Sequence, residues 1–355
     1  MSKRLLLWVG PAAAAAALEH VVRTEGGDTW MFVKAGRVLL SANWSHAFAD
    51  QGTQVGPLQL ALYGSAGRWP GALAMLLAAT AALLVMAAAR AAGVERPRTL
   101  ALAGVAAVAT GLTTHVFDAG HPANGLLPLL WIVAAVEARR GRALRAALVV
   151  GLSAGFETWG ILGLAVLALA PSLRSAVRAA ILAGCIAGLL YLPFVASGHF
   201  AMERYNWQIA PDSLLGHVFA PGTAFGWPLR LAQGAAVLVI GVIAARLGRG
   251  SVHAVWFVPM FVVLARLALD PQEHGYYFDG VQATALVALT LVAARGRFAR
   301  VAPPSQPATP RRSRCTTPSR AVPHRGRACA SGRSPRTQPA EPRALRGHAR
   351  CARPS

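Results

Sequence analysis

Residues 70–90 read PGALAMLLAATAALLVMAAAR, twenty-one positions whose single charge, Arg90, is the last of them. About 20 predominantly apolar residues in a helix cross the hydrocarbon core of a bilayer. The stretch therefore predicts a transmembrane helix. Working outward with the same window gives further apolar runs at 5–22, 99–116, 123–138, 145–157, 158–171, 176–196, 228–246, 253–269 and 279–294. The pair at 145–157 and 158–171 is short, and reads either as two tightly paired short helices or as one span with a re-entrant segment. The expected fold is all-α, a polytopic transmembrane helical bundle of eight to ten spans.

Composition agrees. Of 355 residues, 55% are hydrophobic and only 14% charged, against about 25% charged in an ordinary soluble domain. Such a chain lacks the polar groups to cover a globular surface in water. The net charge of +21 divides unevenly: residues 301–355 hold twelve arginines against one acid, Glu341. The remainder is spread through short connections, so the high charge does not predict nucleic-acid binding by the main body.

Those connections set an orientation. Lys3 and Arg4, Arg90/Arg96/Arg98, Arg139/Arg140/Arg142/Arg145, Arg174/Arg178, Arg246/Arg249 and Arg295/Arg297/Arg300 alternate with arginine-poor loops. Basic loops stay cytoplasmic, which places both termini inside a bacterial plasma membrane with ten crossings. The opposite loops then carry Asp28, Asp50, Asp118, Glu203, Asp212, Asp270, Glu273 and Asp279. The first run resembles a signal peptide but lacks a convincing cleavage site, so it reads as a retained helix. Loops at about 23–69 and 197–227 are long and rich in tryptophan; within the first, Thr29–Leu40 reads as an amphipathic helix lying at the interface.

The chain divides into a transmembrane domain over 1–300 and an Arg/Pro-rich segment over 301–355. With ten prolines and few large apolar side chains in the latter, it reads as a disordered cytoplasmic tail or as a frame-shifted segment. Cys315, Cys329 and Cys351 match no zinc spacing, and Cys185 in an apolar run behaves as a small hydrophobe.

Chemistry concentrates in two stretches. The first runs from Gly26-Gly27-Asp28-Thr29-Trp30 to Asp50-Gln51-Gly52-Thr53-Gln54-Val55-Gly56-Pro57. It sets an acid directly after a hydrophobic helix, where partial desolvation is expected to raise a carboxylate's pKa toward a value useful for general-base work. The second is Gly155-Phe156-Glu157-Thr158-Trp159-Gly160, an acid in the middle of an apolar stretch. Glu157 either marks a hairpin between short helices or is buried and paired. Arg230 and Arg266 stand just inside helix ends and suit a phosphate; Arg204 is a third candidate, and Arg266 is also spaced to pair with Asp270. His115, His121, His199 and His274 lack any HExxH-like spacing and read as single loop histidines. No metal site is expected.

The acid-bearing first external loop resembles that of the GT-C superfamily of polyprenyl-phosphate-sugar glycosyltransferases. The branch most like it is the actinobacterial mannosyltransferase-like proteins of glycosyltransferase family 87. Further likenesses are His121-Pro122-Ala123-Asn124-Gly125 opening a helix, and Asp270-Pro271 followed by Tyr276-Tyr277. Val55-Gly56-Pro57 stands where the family often has Tyr-Pro-Pro. The resemblance implies a GT-C-like bundle and a catalytic base at Asp28. The residues themselves make Asp50 a second catalytic candidate, and Arg266, Arg230, Glu157, His121, Gln54, Tyr276 and Tyr277 candidates for binding the substrate or its phosphate. The donor is a lipid-linked sugar, mannose or another hexose or pentose; the acceptor is an external glycan or glycolipid, with no cofactor. A transporter or flippase, or an inactive truncated family member, stays open as an alternative.

Overall fold

The computed structural model describes residues 3–22, 27–118, 120–220, 222–272 and 274–301. Gly26, Glu273 and the Arg/Pro-rich tail fall outside the described residues.

Each apolar run becomes a helix. In chain order these are α1 (Lys3–Val22), α2 (Thr29–Leu39), α3 (Pro57–Ala66), α4 (Pro70–Ala91), α5 (Pro97–Ala109), α6 (Leu112–Asp118), α7 (Ala123–Arg139) and α8 (Ala143–Phe156). A 3-10 helix (Thr158–Leu169) comes next, then α9 (Leu173–Ala196), α10 (Trp227–Leu247), α11 (Ala254–Ala268) and α12 (Asp279–Val301). Among the described residues, the only strands are the two-residue β1 (Trp207–Gln208) and β2 (Ala224–Phe225), paired antiparallel. Among the described residues, five helices are long and apolar enough to cross a membrane, and four shorter apolar ones accompany them. Helices α9 and α10 turn wide apolar faces outward, among them Ile181, Leu189 and Leu231, each more than 60% exposed. Long apolar helices with bare hydrocarbon faces identify a helical membrane protein.

Two details depart from the expected runs. The run at 99–116 is not one helix: it breaks between α5 and α6 at Gly111, whose φ of +77° suits glycine. The pair at 145–157 and 158–171 is a hairpin with two kinds of helix. Twelve residues of 3-10 helix far exceed the usual three or four, and at about 2.0 Å rise per residue they reach roughly 24 Å. Glycines make that packing possible. A Cβ on Gly160 would overlap the Ser153 carbonyl of α8, and one on Gly163 the Trp131 ring of α7. The hairpin therefore comes back beside its own start, with Gly141 close to Pro171.

Small residues set the helix contacts generally. The buried face of α4 includes Ala74, Ala78, Ala81, Ala82, Ala88 and Ala89. In lipid there is little hydrophobic drive between helices, so close backbone approach and dispersion hold them together. At the crossing of α2 and α3, Gly36 and Gly64 meet with no room for a Cβ on either.

Contacts also sort the loops into two ends. At one end Arg139 Nη1 and Arg249 Nη2 donate to the carbonyls of Ser251 and Ala170, and Arg295 reaches His253. Glu137 is ringed there by Arg140, Arg142 and Arg145. At the other end lie Asp28, His121, Glu157 and Asp270. The expected interfacial helix is α2, with Phe32 and Gly36 buried against α3 while Trp30, Lys34 and Arg37 are exposed.

Candidate active site

A cavity of about 650 Å³ opens at the carboxylate-bearing end. Its lining includes one cluster of acids around His121, a second of arginines around Asp270, and residues of α10 and the 3-10 helix.

The acidic wall is built on His121. Its Nδ1 lies 2.7 Å from Glu157 Oε1 and its Nε2 lies 3.3 Å from Asp28 Oδ2. Asp28 stands immediately before α2, and its carbonyl accepts from Phe32 N to start that helix. Glu157 closes α8 with an extended backbone, and Trp159 Nε1 donates to its Oε2. The loop bearing His121 is pinned by Gln59 Nε2 and the Tyr63 hydroxyl, both donating to Gly120 O at 2.9 and 3.2 Å. Gly120 has a φ of +77° and sits so close to Thr29 that a side chain would collide with it. The imidazole ring stacks on Tyr276, 5.5 Å between centroids and 2° apart in plane, and meets Phe32 edge-on.

The electrostatics follow from this grouping. Burial disfavours the charged imidazolium, but hydrogen bonds and charge from Asp28 and Glu157 outweigh it and push His121 up to about 9. The expected rise of Asp28 by desolvation is overturned: the hydrogen bond from His121 holds its carboxyl below the usual value, against a smaller opposing effect of burial. The wall holds the His121 ring between the carboxyl groups of Asp28 and Glu157.

The basic wall centres on Asp270, which is 1% exposed. Arg230 Nη1 lies 3.2 Å and Arg266 Nη2 3.9 Å from the same oxygen, Asp270 Oδ2. Arg230 also donates to Gln233 Oε1 at 2.9 Å, and its guanidinium lies 4.0 Å from the Trp207 ring centroid. Arg266 donates to Asn124 Oδ1 at 3.3 Å and packs on the faces of Trp159 and Tyr277 at 4.3 and 4.8 Å. Two cations share one anion, and the buried Arg230 Nε has no hydrogen-bond partner among the described residues. Trp159 joins the two walls, since its indole nitrogen serves Glu157 and its ring face serves Arg266.

The lining also has an apolar part, Ile161 and Leu162 of the 3-10 helix with Leu231, Ala235 and Leu238 of α10.

Asp28, His121, Glu157, Gln54, Arg230, Arg266, Tyr276 and Tyr277 all line this cavity. Gln54 also ties the first loop down through the Met202 carbonyl at 3.2 Å. Asp50 does not belong to the lining; it is exposed, and its Oδ1 accepts from Gly52 N at 2.8 Å to cap its own turn. Arg204 is likewise elsewhere, on the surface beside Glu203. Glu157 satisfies both sequence alternatives at once: it is at a hairpin tip and it is buried and paired. His121 is not a single loop histidine, because its partners come from elements that hydropathy does not connect. Asn124, Gln233 and Trp159 were not singled out by sequence. The only hint was their proximity in the chain to His121, Arg230 and Glu157. Among the described residues no group of three His, Cys, Asp or Glu side chains is placed to hold a metal.

Comparison with protein-family models, curated proteins and solved structures gives no match for this chain.

Proposed function

We propose that the protein is a membrane glycosyltransferase that moves a sugar from a polyprenyl-phosphate carrier to an acceptor hydroxyl. One observation carries the reading: a single cavity is lined by a half-exposed carboxylate, Asp28, by two arginines that share one carboxylate, and by apolar residues of α10 and the 3-10 helix. An amphipathic donor fits that lining, with its hydrocarbon along α10, its phosphate at the arginines and its sugar toward Asp28. The GT-C resemblance of the first loop supports the same assignment.

In the reaction the acceptor oxygen attacks the anomeric carbon while the bond from that carbon to the phosphate oxygen breaks. The acceptor's proton passes to Asp28, and the departing phosphate takes the electron pair. Arg230 and Arg266, with one positive charge between them left uncompensated by Asp270, stabilise the charge that develops on the leaving oxygen. A positioned general base contributes about 10²–10⁴ in rate. The site faces the outer side of a bacterial plasma membrane, with both termini cytoplasmic and an external glycan or glycolipid as acceptor.

The test is transfer of labelled sugar from a polyprenyl-phosphate donor by membranes carrying the wild type or Asp28→Asn. Transfer by the wild type and a loss of at least about 100-fold in the variant are expected. Equal transfer by both would remove Asp28 from the mechanism.

A further inference from the structure

The acidic wall contains more than a general base needs. Glu157 is 3% exposed and both of its oxygens are engaged, one by His121 and one by Trp159. His121 is in the same position, with each ring nitrogen on a carboxylate, one face on Tyr276 and its flank against Phe32. Both ring nitrogens of His121 are engaged, and each Glu157 oxygen already accepts a hydrogen bond from a neighbouring side chain. Asp28 differs: its side chain is 56% exposed, and only Oδ2 meets His121.

We propose that Glu157 and His121 are positioning residues, Glu157 fixing the imidazolium of His121 and His121 fixing Asp28 by one oxygen so that the other takes the acceptor's proton. This rests on the glycosyltransferase reading and replaces the direct substrate contact that the sequence suggested for both residues.

Two physical consequences follow from the arrangement. A carboxylate anchored at Oδ2 keeps Oδ1 in one direction, which matters because proton transfer needs hydrogen-bond reach within a few tenths of an ångström. The imidazolium also cancels one of the two negative charges on this wall. Once His121 loses its proton, two carboxylates flank a neutral ring in the cavity that must admit an anionic phosphate, and binding of the donor weakens. The groups facing this cluster are Asp28 from the start of α2, Glu157 from the α8 hairpin and Tyr276 from the segment before α12. Around them stand His274, stacked on Tyr276, with Tyr63 of α3 and Tyr191 of α9 further out. Glu157 and Asp28 are the only carboxylates in contact with His121 among the described residues. Glutamine at position 157 keeps an acceptor for Nδ1 and the shape of the side chain but removes the charge that holds the proton.

The experiment joins a titration to a rate profile. Protein with ¹⁵N-labelled histidine in lipid nanodiscs is titrated by NMR, His121 being assigned by its loss in His121→Gln. The pH dependence of kcat/KM for sugar transfer from a polyprenyl-phosphate donor is measured alongside, for wild type, Glu157→Gln and Glu157→Asp. In Glu157→Gln the His121 midpoint and the alkaline limb of kcat/KM should both fall by about one pH unit or more, a tenfold change in proton affinity. Glu157→Asp should restore part of each. An unmoved His121 midpoint overturns the proposal, and so does a limb that stays fixed while the midpoint moves. If the wild type transfers no sugar, a moved midpoint still establishes Glu157's hold on His121, and it is the assigned reaction that fails.

Discussion

Arg266 and Asp270 lie 3.9 Å apart, one helical turn from each other, and the same Asp270 oxygen also receives Arg230 from the neighbouring helix. All three groups are largely shielded from water, with side chains 10%, 1% and 15% exposed. In such a cluster the carboxylate is what allows the two cations to stand together. Removing one member of a buried ionic group leaves an uncompensated charge, at a cost of about 3–5 kcal/mol. Asp270→Asn should therefore lower the thermal midpoint of the detergent-solubilised protein sharply. Arg230→Gln, which leaves a matched pair behind, should lower it less. A melting curve for Asp270→Asn that superimposes on the wild type would show that the cluster is not held by that carboxylate.

Asp28 and Asp50 should separate cleanly by mutation. Asp28→Asn is expected to lower sugar transfer by about 10²–10⁴-fold. Asp50→Asn keeps an oxygen that can accept from Gly52 N in the same turn, so its transfer rate should stay within about threefold of wild type. A large kinetic defect at Asp50 would return it to the mechanism.

The stability of the fold should depend on pH through His121. Its ordinary value is 6.5, and the folded protein raises it to about 9. A group that binds its proton more tightly when folded contributes in full below its unfolded value and loses that contribution as pH rises through the folded one. The melting midpoint should accordingly fall between about pH 6.5 and pH 9. His121→Gln should lack that component of the slope, and an identical slope in the two proteins would contradict it.

The contact of Gly36 with Gly64 ties fold to site, because α2 begins at Asp28. A Cβ on either glycine would overlap backbone of the other helix, and forcing extra volume into a packed contact costs about 1–3 kcal/mol. Gly36→Val should lower the yield of folded protein and lower the transfer rate of what remains, by tilting α2. Gly93→Ala is the control for packing: it sits in open space, although its φ of +113° adds local backbone strain. Full activity in Gly36→Val would mean that α2 tolerates displacement.

Orientation is open to thiol labelling. In a cysteine-free background, Trp30→Cys and Arg140→Cys occupy positions 70% and more than half exposed, at the acid-bearing and arginine-bearing ends. A membrane-impermeant maleimide should modify the first in intact cells and the second only after lysis. The reverse pattern would invert the assigned topology.

The helices were legible in the sequence because transfer into lipid depends on each segment's own apolar content. The run at 70–90 needs no neighbour to become α4, and arginines mark one set of loops wherever the helices stand in the bundle. The same reading found Asp28, Arg230, Arg266 and Glu157 one at a time. It could not find their relations, because Asp28 and His121 are 93 residues apart and His121 and Glu157 are 36 apart. It included Asp50 because a loop acid that caps its own turn looks, in sequence, like any other loop acid.

Hydropathy, read along the chain, determined that this is a helical membrane protein, and charge marked one set of its loops with arginines. Tertiary structure alone decided that the His121 ring stands between two carboxyl groups and that one carboxylate serves two arginines. Those pairings depend on how closely backbones approach at glycines such as Gly36, Gly120 and Gly160, and close approach is a property of packed helices that no single segment carries.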